Sequence, residues 1–244
     1  MIVAILSDIH GNLEALTVAI NYIADLGISK IYCCGDIVGY GPDPKMCLDF
    51  LRRYQFVSVY GNHDKAITTD SLAIYFNEDA VYVLNDQKLQ LTQNDLRFLE
   101  NLPLQINEKF FIITHSFLDK KRPFKYVLDN DAAIENLAYT RKPVIFIGHS
   151  HVPGVFCYND RRILYQDAKY GLDLDLQSES KYVINVGSIG QSRDNNPDLS
   201  FVLFDTSTLQ LRFVRLPYPI SKTQEKMKLK GYPDFLHQRL SRGI

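Results

Sequence analysis

The chain has 244 residues, 46% hydrophobic and 23% charged, with a formal net charge of −1 and a pI near 6.6. This is the composition of a soluble globular protein of one large domain or two small ones. It excludes a global basic footprint for nucleic acid, and no apolar run approaches the ~20 residues of a membrane span. Cys33, Cys34, Cys47 and Cys157 include no CxxC pair and read as reduced thiols packed as small hydrophobes. Strand-like Met1–Leu6 lacks a signal-peptide pattern, so a cytoplasmic protein is expected.

Ile2–Leu6 is a short apolar strand that runs into Asp8 and His10. After Asn12, residues Leu13, Leu16, Ala19, Ile20 and Ile23 recur at helical spacing, and the helix stops at Gly27. Ile31–Cys34 forms a second strand ending at Asp36, and a helix follows from about Asp43 to Arg53 with Pro44 in its first turn. Phe56–Tyr60 runs into Asn62, His63 and Asp64. Such alternation implies right-handed crossovers and a parallel sheet. Residues 66–108 form an insertion in which Ser71–Leu84 and Thr92–Asn101 read as helices. It either overhangs the site as a lid or packs on one sheet face. Phe110–Ile113 then runs into His115, and residues 116–142 make an excursion containing Lys120, Lys121, Arg122 and Lys125. Val144–Ile147 runs into His149 and His151.

Beyond His151 the pattern becomes antiparallel. Val155–Tyr158 and Arg161–Tyr165 flank the turn dipeptide Asn159-Asp160. Residues 181–186, 200–204 and 209–216 continue as strands. A tail from about 219 to 244 reads as a helix or two broken at Gly231–Pro233, and its exposed helix is a candidate contact for a homo-oligomer. The chain as a whole reads as a single domain, 1–244.

Five of the six histidines stand at the ends of apolar strands. In open α/β sheets the ligand site lies beyond such carboxyl ends, so one polar cluster of His, Asp and Asn is expected on one edge of a sheet. That donor set suits a hard-to-borderline metal. Asp8 and His10, like His149 and His151, are two residues apart, and in an extended segment such residues face the same side. Asp36 is placed to bridge two cations, and Asn62 offers a neutral oxygen. His63, next to it, points elsewhere and could serve as an acid.

In order, Ser7-Asp8-Ile9-His10-Gly11-Asn12, Gly35-Asp36-Ile37-Val38-Gly39, Gly61-Asn62-His63-Asp64, Thr114-His115 and Gly148-His149-Ser150-His151 resemble the five blocks of the calcineurin-like metallophosphoesterases, from residue 1 to about 205. The resemblance implies a four-layer α/β/β/α sandwich of two mixed sheets flanked by helices. It implies two divalent metal ions, Mn2+ first, with Fe, Zn2+ or Ni2+ open. Asp8, His10, Asp36 and His151 would hold one, and Asp36, Asn62, His115 and His149 the other. His63 would be proton donor or phosphate contact.

Gly39-Tyr40-Gly41-Pro42-Asp43-Pro44 and Asn185-Val186-Gly187-Ser188-Ile189-Gly190-Gln191-Ser192-Arg193-Asp194 resemble a smaller bacterial and archaeal branch of diadenosine tetraphosphatase-like phosphoesterases. The implied substrate is a small phosphodiester or phosphoanhydride, nucleotide-like, met by Asn62, His63, Tyr40 and Arg193. Tyr40 would stand at the site rim or, alternatively, pack on the 66–108 helices. Arg193 would hold phosphate or pair with Asp194. A protein Ser/Thr phosphatase is the alternative, but those carry Asp-Arg and Asn-His-Glu where this chain has Gly39-Tyr40-Gly41 and Asn62-His63-Asp64. A non-catalytic scaffold would show gaps among the ligands, and here every position is filled.

Overall fold

The computed structural model describes residues 1–69 and 76–244. Ile2–Leu6 (β1) is continuously apolar because both of its faces are covered. Val3 and Ile5 enter the layer between two sheets, with Phe111, Phe146, Val202 and Phe204. Ala4 and Leu6 turn the other way, against Leu16 and Ile20 of Leu13–Asp25 (α1) and Leu48 of Pro44–Arg53 (α2). Asn12 caps α1 by accepting the Ala15 N–H at 3.2 Å, which turns the chain from the β1 loop into helix.

The first sheet has the order Val57–Ser58 (β3), Ile31–Cys33 (β2), β1, Leu199–Asp205 (β11), Gln210–Leu216 (β12) and Leu172–Asp175 (β9). The second runs Gln105–Asn107 (β4), Phe111–Thr114 (β5), Val144–Ile147 (β6), Lys181–Asn185 (β10), Gly154–Asn159 (β7) and Arg162–Asp167 (β8). Each is mixed: β1, β2 and β3 run parallel, as do β5, β6 and β10, while the remaining pairings are antiparallel. Ala133 and Leu137 of Asn130–Leu137 (α6) cover Ile145, Ile147 and Val183 on the outer face of the second sheet. The four layers are those the block pattern implies.

Several details differ from the sequence reading. The parallel strands divide between two sheets, so the site cannot lie on one sheet edge. β3 is only two residues long, because the chain leaves it directly for Asn62–Thr68 (α3). Glu78–Gln90 (α4) starts after Asn77, which accepts the Ala80 N–H, and runs beyond Leu84. Much of the expected Ser71 start lies outside the described residues. Gln93–Glu100 (α5) falls where a helix is expected. The β7–β8 turn centres on Asp160 and Arg161, both left-handed (φ 47° and 62°), the conformation a two-residue hairpin prefers. The tail forms Ile220–Leu229 (α7), Asp234–Gln238 (α8) and a 3-10 turn over Arg239–Ser241. Its Met227, Tyr232, Leu236 and Leu240 pack with Val83 of α4. The apolar face of the tail is therefore used within the chain, leaving Leu229 and Phe235 exposed.

Candidate metal centre and its pocket

The loops after β1 and β2 run beside each other. Backbone N–H groups of Asp8, His10 and Gly11 donate to the carbonyls of Gly35, Asp36 and Ile37 at 2.9–3.0 Å. Asp64 ties on the next block, accepting from Ile37 and Val38 N–H through one oxygen (2.9 and 3.1 Å) and from Gly61 N–H through the other (3.0 Å). The donors do not project by strand alternation. Asp8, His10, Asp36, His149 and His151 all have left-handed backbones, with φ of 52°, 49°, 54°, 69° and 61°. Non-glycine residues rarely adopt that region, and such strain concentrates at functional sites.

Each carboxylate has one oxygen pinned and one aimed inward. Asp8 Oδ2 accepts the His149 N–H at 2.9 Å, and its Oδ1 is buried without a hydrogen bond, 3.2 Å from His151 Nε2. Asp36 Oδ1 accepts the His63 N–H at 2.9 Å, and its Oδ2 lies 3.4 Å from His115 Nε2 and 3.7 Å from His10 Nε2. The histidines are oriented likewise. Nδ1 of His10, His115 and His151 faces the carbonyls of Val38, Cys34 and Gln191 at 2.9, 2.8 and 2.5 Å. A carbonyl only accepts, so each Nδ1 carries a proton, and whenever the ring is neutral its Nε2 turns a lone pair inward. There His10 and His151 Nε2 stand 3.2 Å apart. His115 Nε2 is 3.0 Å from Asn62 Oδ1 and 3.1 Å from His149 Nδ1. Three donor groups result: Asp8–His10–His151, His10–Asp36–His63 and Asp36–His115–His149. Inward lone pairs facing one another, beside a buried carboxylate oxygen with no hydrogen bond, fit divalent cations between them.

His63 departs from its expected placement. It lies in the first turn of α3 rather than on a strand, and its ring stays close to the cluster, 4.8 Å from His10 between centroids. Burial holds it down to about 4 against the raising pull of Asp36, and Arg193 adds to the lowering. Burial likewise takes His149 to about 3 and holds His10 and His151 well below their ordinary value. His115 is the exception. Burial opposes its charge, but the Asp36 carboxylate prevails and raises it to about 9.

Outside the cluster opens a cavity of about 860 Å³. Tyr40 and Arg193 both line it, with the guanidinium 5.6 Å above the Tyr40 ring. Tyr40 also packs against the cluster formed by α4 and the tail. Arg193 does not pair with Asp194, whose carboxylate takes Arg215 at 2.9 Å; it donates instead to Gln191 Oε1 at 2.7 Å. Three further lining residues, Phe76, Tyr126 and Arg239, are not singled out by the sequence. Phe76 comes from the insertion, its ring 4.6 Å from His63. Tyr126 stacks on His149 at 4.0 Å, and Arg239 arrives from the tail. The 66–108 insertion thus contributes a wall. His237 is buried and bonded to Asp234, away from the cluster.

Two sheets thus deliver parallel strand ends to one His/Asp cluster that could hold metal. Residues 1–209 match the sequence profile of the calcineurin-like phosphoesterase superfamily domain, and the chain belongs to that superfamily. It is 35% identical to an uncharacterized protein of Methanocaldococcus jannaschii over 245 residues, covering 99% of this chain and 98% of that one. A metallophosphoesterase from Sphaerobacter thermophilus superposes with a TM-score of 0.86 at 31% identity, over 100% of both chains. A hypothetical protein from Pyrococcus horikoshii OT3 superposes with a TM-score of 0.79 at 20% identity, over 100% of this chain and 98% of that one.

Proposed function

We propose that this chain hydrolyses a phosphodiester or phosphoanhydride of a small, nucleotide-like molecule, with dinucleoside polyphosphates as the leading class, using two divalent cations. The observation that carries the reading is the pair of donor groups meeting at Asp36. Asp8, His10, Asp36 and His151 would hold one ion, and Asp36, Asn62, His115 and His149 the other. The absence of thiolate donors favours Mn2+ or another N/O-binding metal over a structural zinc site. When bound, two such ions supply a water acidic enough to attack at neutral pH and offset charge on the attacking and leaving oxygens.

The protein's own groups do the rest. Backbone N–H groups of His63 and His149 hold the two carboxylates still, so each keeps one oxygen on the site. Tyr126 stacks on His149 at 4.0 Å, and the Phe124 ring lies 6.4 Å from it, which holds the His149 ring in place. His63 is neutral when the cavity is empty, and a phosphate anion beside it raises its pKa. In its charged form the ring would protonate the leaving oxygen. Tyr40 presents its ring to a base or ribose, a contact worth about 1–3 kcal/mol for a base. Cysteines without disulfides accord with a cytoplasmic setting.

The test compares kcat/KM on a dinucleoside polyphosphate, bis-p-nitrophenyl phosphate and p-nitrophenyl phosphate with Mn2+, in wild type, Tyr40→Ala and Arg193→Ala. A loss at least tenfold larger on the nucleotide supports the assignment, tenfold being about 1.4 kcal/mol. Equal losses on all three substrates, or none, remove the nucleotide from the proposal.

A further inference from the structure

The 66–108 insertion reaches the metal centre through one side chain. Gln87, on α4, is fully buried although it ends in an amide. It shares a helix face with Val83 and Leu84, four and three residues back. Val83 belongs to the tail cluster, and Leu84 to the core cluster that holds Ile9, Ile37 and Val38 of the ligand loops. Both heavy atoms of the amide are used, and both partners are backbone. Gly39 N–H donates to Gln87 Oε1 at 2.7 Å, and Gln87 Nε2 donates to the Gly41 carbonyl at 2.6 Å. An N–H only donates and a carbonyl only accepts, so the amide has one orientation. The clamp closes over Tyr40, whose own backbone is left-handed at φ 54°.

The bond from Gly39 leads on to a candidate ligand. Gly39 N–H and the Val38 carbonyl belong to one peptide group, and that carbonyl accepts from His10 Nδ1 at 2.9 Å. Hydrogen bonds at the two ends of a peptide polarise one another, so the Gln87 oxygen strengthens the acceptor that orients His10. It also fixes where that acceptor points, since Gly39, at φ +94°, has no Cβ to restrain the peptide. The second bond bears on the same residue, because Gly41 N–H donates to the His10 carbonyl at 2.9 Å. His115 and His151 face the carbonyls of Cys34 and Gln191 instead, to which Gln87 makes no bond among the described residues.

We propose that Gln87 is a positioning residue for the metal centre, through which the insertion sets the His10 ring and with it the affinity of one ion of the pair. This rests on the two-ion reading above, in which His10 serves the ion shared with Asp8 and His151. Loss of the partner that orients a ligating histidine commonly costs about 10–100-fold in metal affinity. Here that partner is a main-chain carbonyl, which no substitution removes, and Gln87 is the side chain that governs it. The insertion is then a working part of the metal centre as well as a wall of the cavity.

Gln87→Met and Gln87→Glu separate bonding from packing. Met nearly matches Gln in length and volume but makes neither bond. Glu keeps an oxygen for the Gly39 N–H while placing an ionisable group in a buried site, so a packing role alone would rank Met above Glu. Anomalous scattering from crystals equilibrated at stepped free Mn2+ reads the occupancy of each site. Gln87→Met should weaken the ion at Asp8, His10 and His151 by roughly 10–100-fold, and at least tenfold more than the ion at Asn62, His115 and His149. Gln87→Glu should keep the first ion closer to wild type than Gln87→Met does. If Gln87→Met fails to fold, Gln87→Asn, whose amide falls one methylene short of the loop, must show the same site-selective loss. Equal weakening of both ions, no weakening, or Gln87→Glu losing as much as Gln87→Met would overturn the role. A wild type with fewer than two ions would remove the two-ion reading and this role with it. A wild type that binds both ions, depends on Gln87 for the first and hydrolyses no phosphoester would leave the role standing and remove the hydrolase reading instead.

Discussion

Alanine at position 61 would place one methyl group where the Asp36 carboxylate lies. Gly61 is extended (φ −100°, ψ −176°), so alanine meets no backbone penalty there and the effect is steric alone. A Cβ would stand 2.0 Å from Asp36 Oδ1 and 2.5 Å from Asp36 N, where ordinary contact begins at 3.4 Å. The carboxylate must move by more than an ångström, and the 2.9 Å bond from the His63 N–H breaks. Overpacking costs about 1–3 kcal/mol, and a lost bond to a charged group adds about 1.5–3 kcal/mol. The sum, on the order of 3–6 kcal/mol, is a large part of the ~5–15 kcal/mol of a typical domain. Gly27→Ala is the control. It has φ +69° but nothing within 4 Å, so only the left-handed penalty of roughly 1–2 kcal/mol applies. Urea unfolding in chelator reads stability, and elemental analysis after reconstitution reads metal content. Gly61→Ala should lose metal and turnover together, while Gly27→Ala keeps both. A Gly61→Ala protein with two ions per chain and wild-type turnover would refute the placement of Asp36 as the shared carboxylate.

His63→Ala should retain both metals and lose about 10²–10⁴-fold in turnover, most on substrates with poor leaving groups. Metal content falling as steeply as rate would make His63 a ligand, a role that its place in the His10–Asp36 group permits. In chelator-treated protein the His115–Asp36 pair should give stability a pH dependence. The His115 pKa is raised to about 9 on folding, so its contribution is full below the ordinary value near 6.5 and fades as pH rises through about 9. Thermal melts at pH 6 and pH 9.5, compared with His115→Gln, read this, and an equal pH slope in the variant would exclude the pair as its source.

The strands that carry the site are legible in the sequence because they are buried on both faces, so Val3–Leu6, Ile31–Cys33, Phe111–Ile113 and Val144–Ile147 stay apolar at every position. β4 and β9 are not, since Gln105–Asn107 and Leu172–Asp175 are short, partly polar edge strands. The residue types of the cluster are visible, but how they point is not. Alternation suggests extended Asp8 and His10, whereas the loop-to-loop hydrogen bonds hold both left-handed. Arg239 illustrates the limit. Nothing local distinguishes an arginine in a helical tail, and only the packing of Tyr232, Leu236 and Leu240 on Val83 brings it to the cavity.

The pairing of β1 with β11 has a consequence for the birth of the molecule. Ile2 lies opposite Asp205, so the first strand synthesised has β2 for one neighbour early but lacks the other until some two hundred residues have been joined. At about 5–20 residues per second, that wait lasts on the order of ten seconds or more, with an unpaired apolar edge in the nascent chain. Asp8 and His151 stand in the same relation, brought within 3.2 Å across most of the sequence. With the ligand set proposed above, metal capture would be a late event in biogenesis, since the site is complete only once His149 and His151 have been joined.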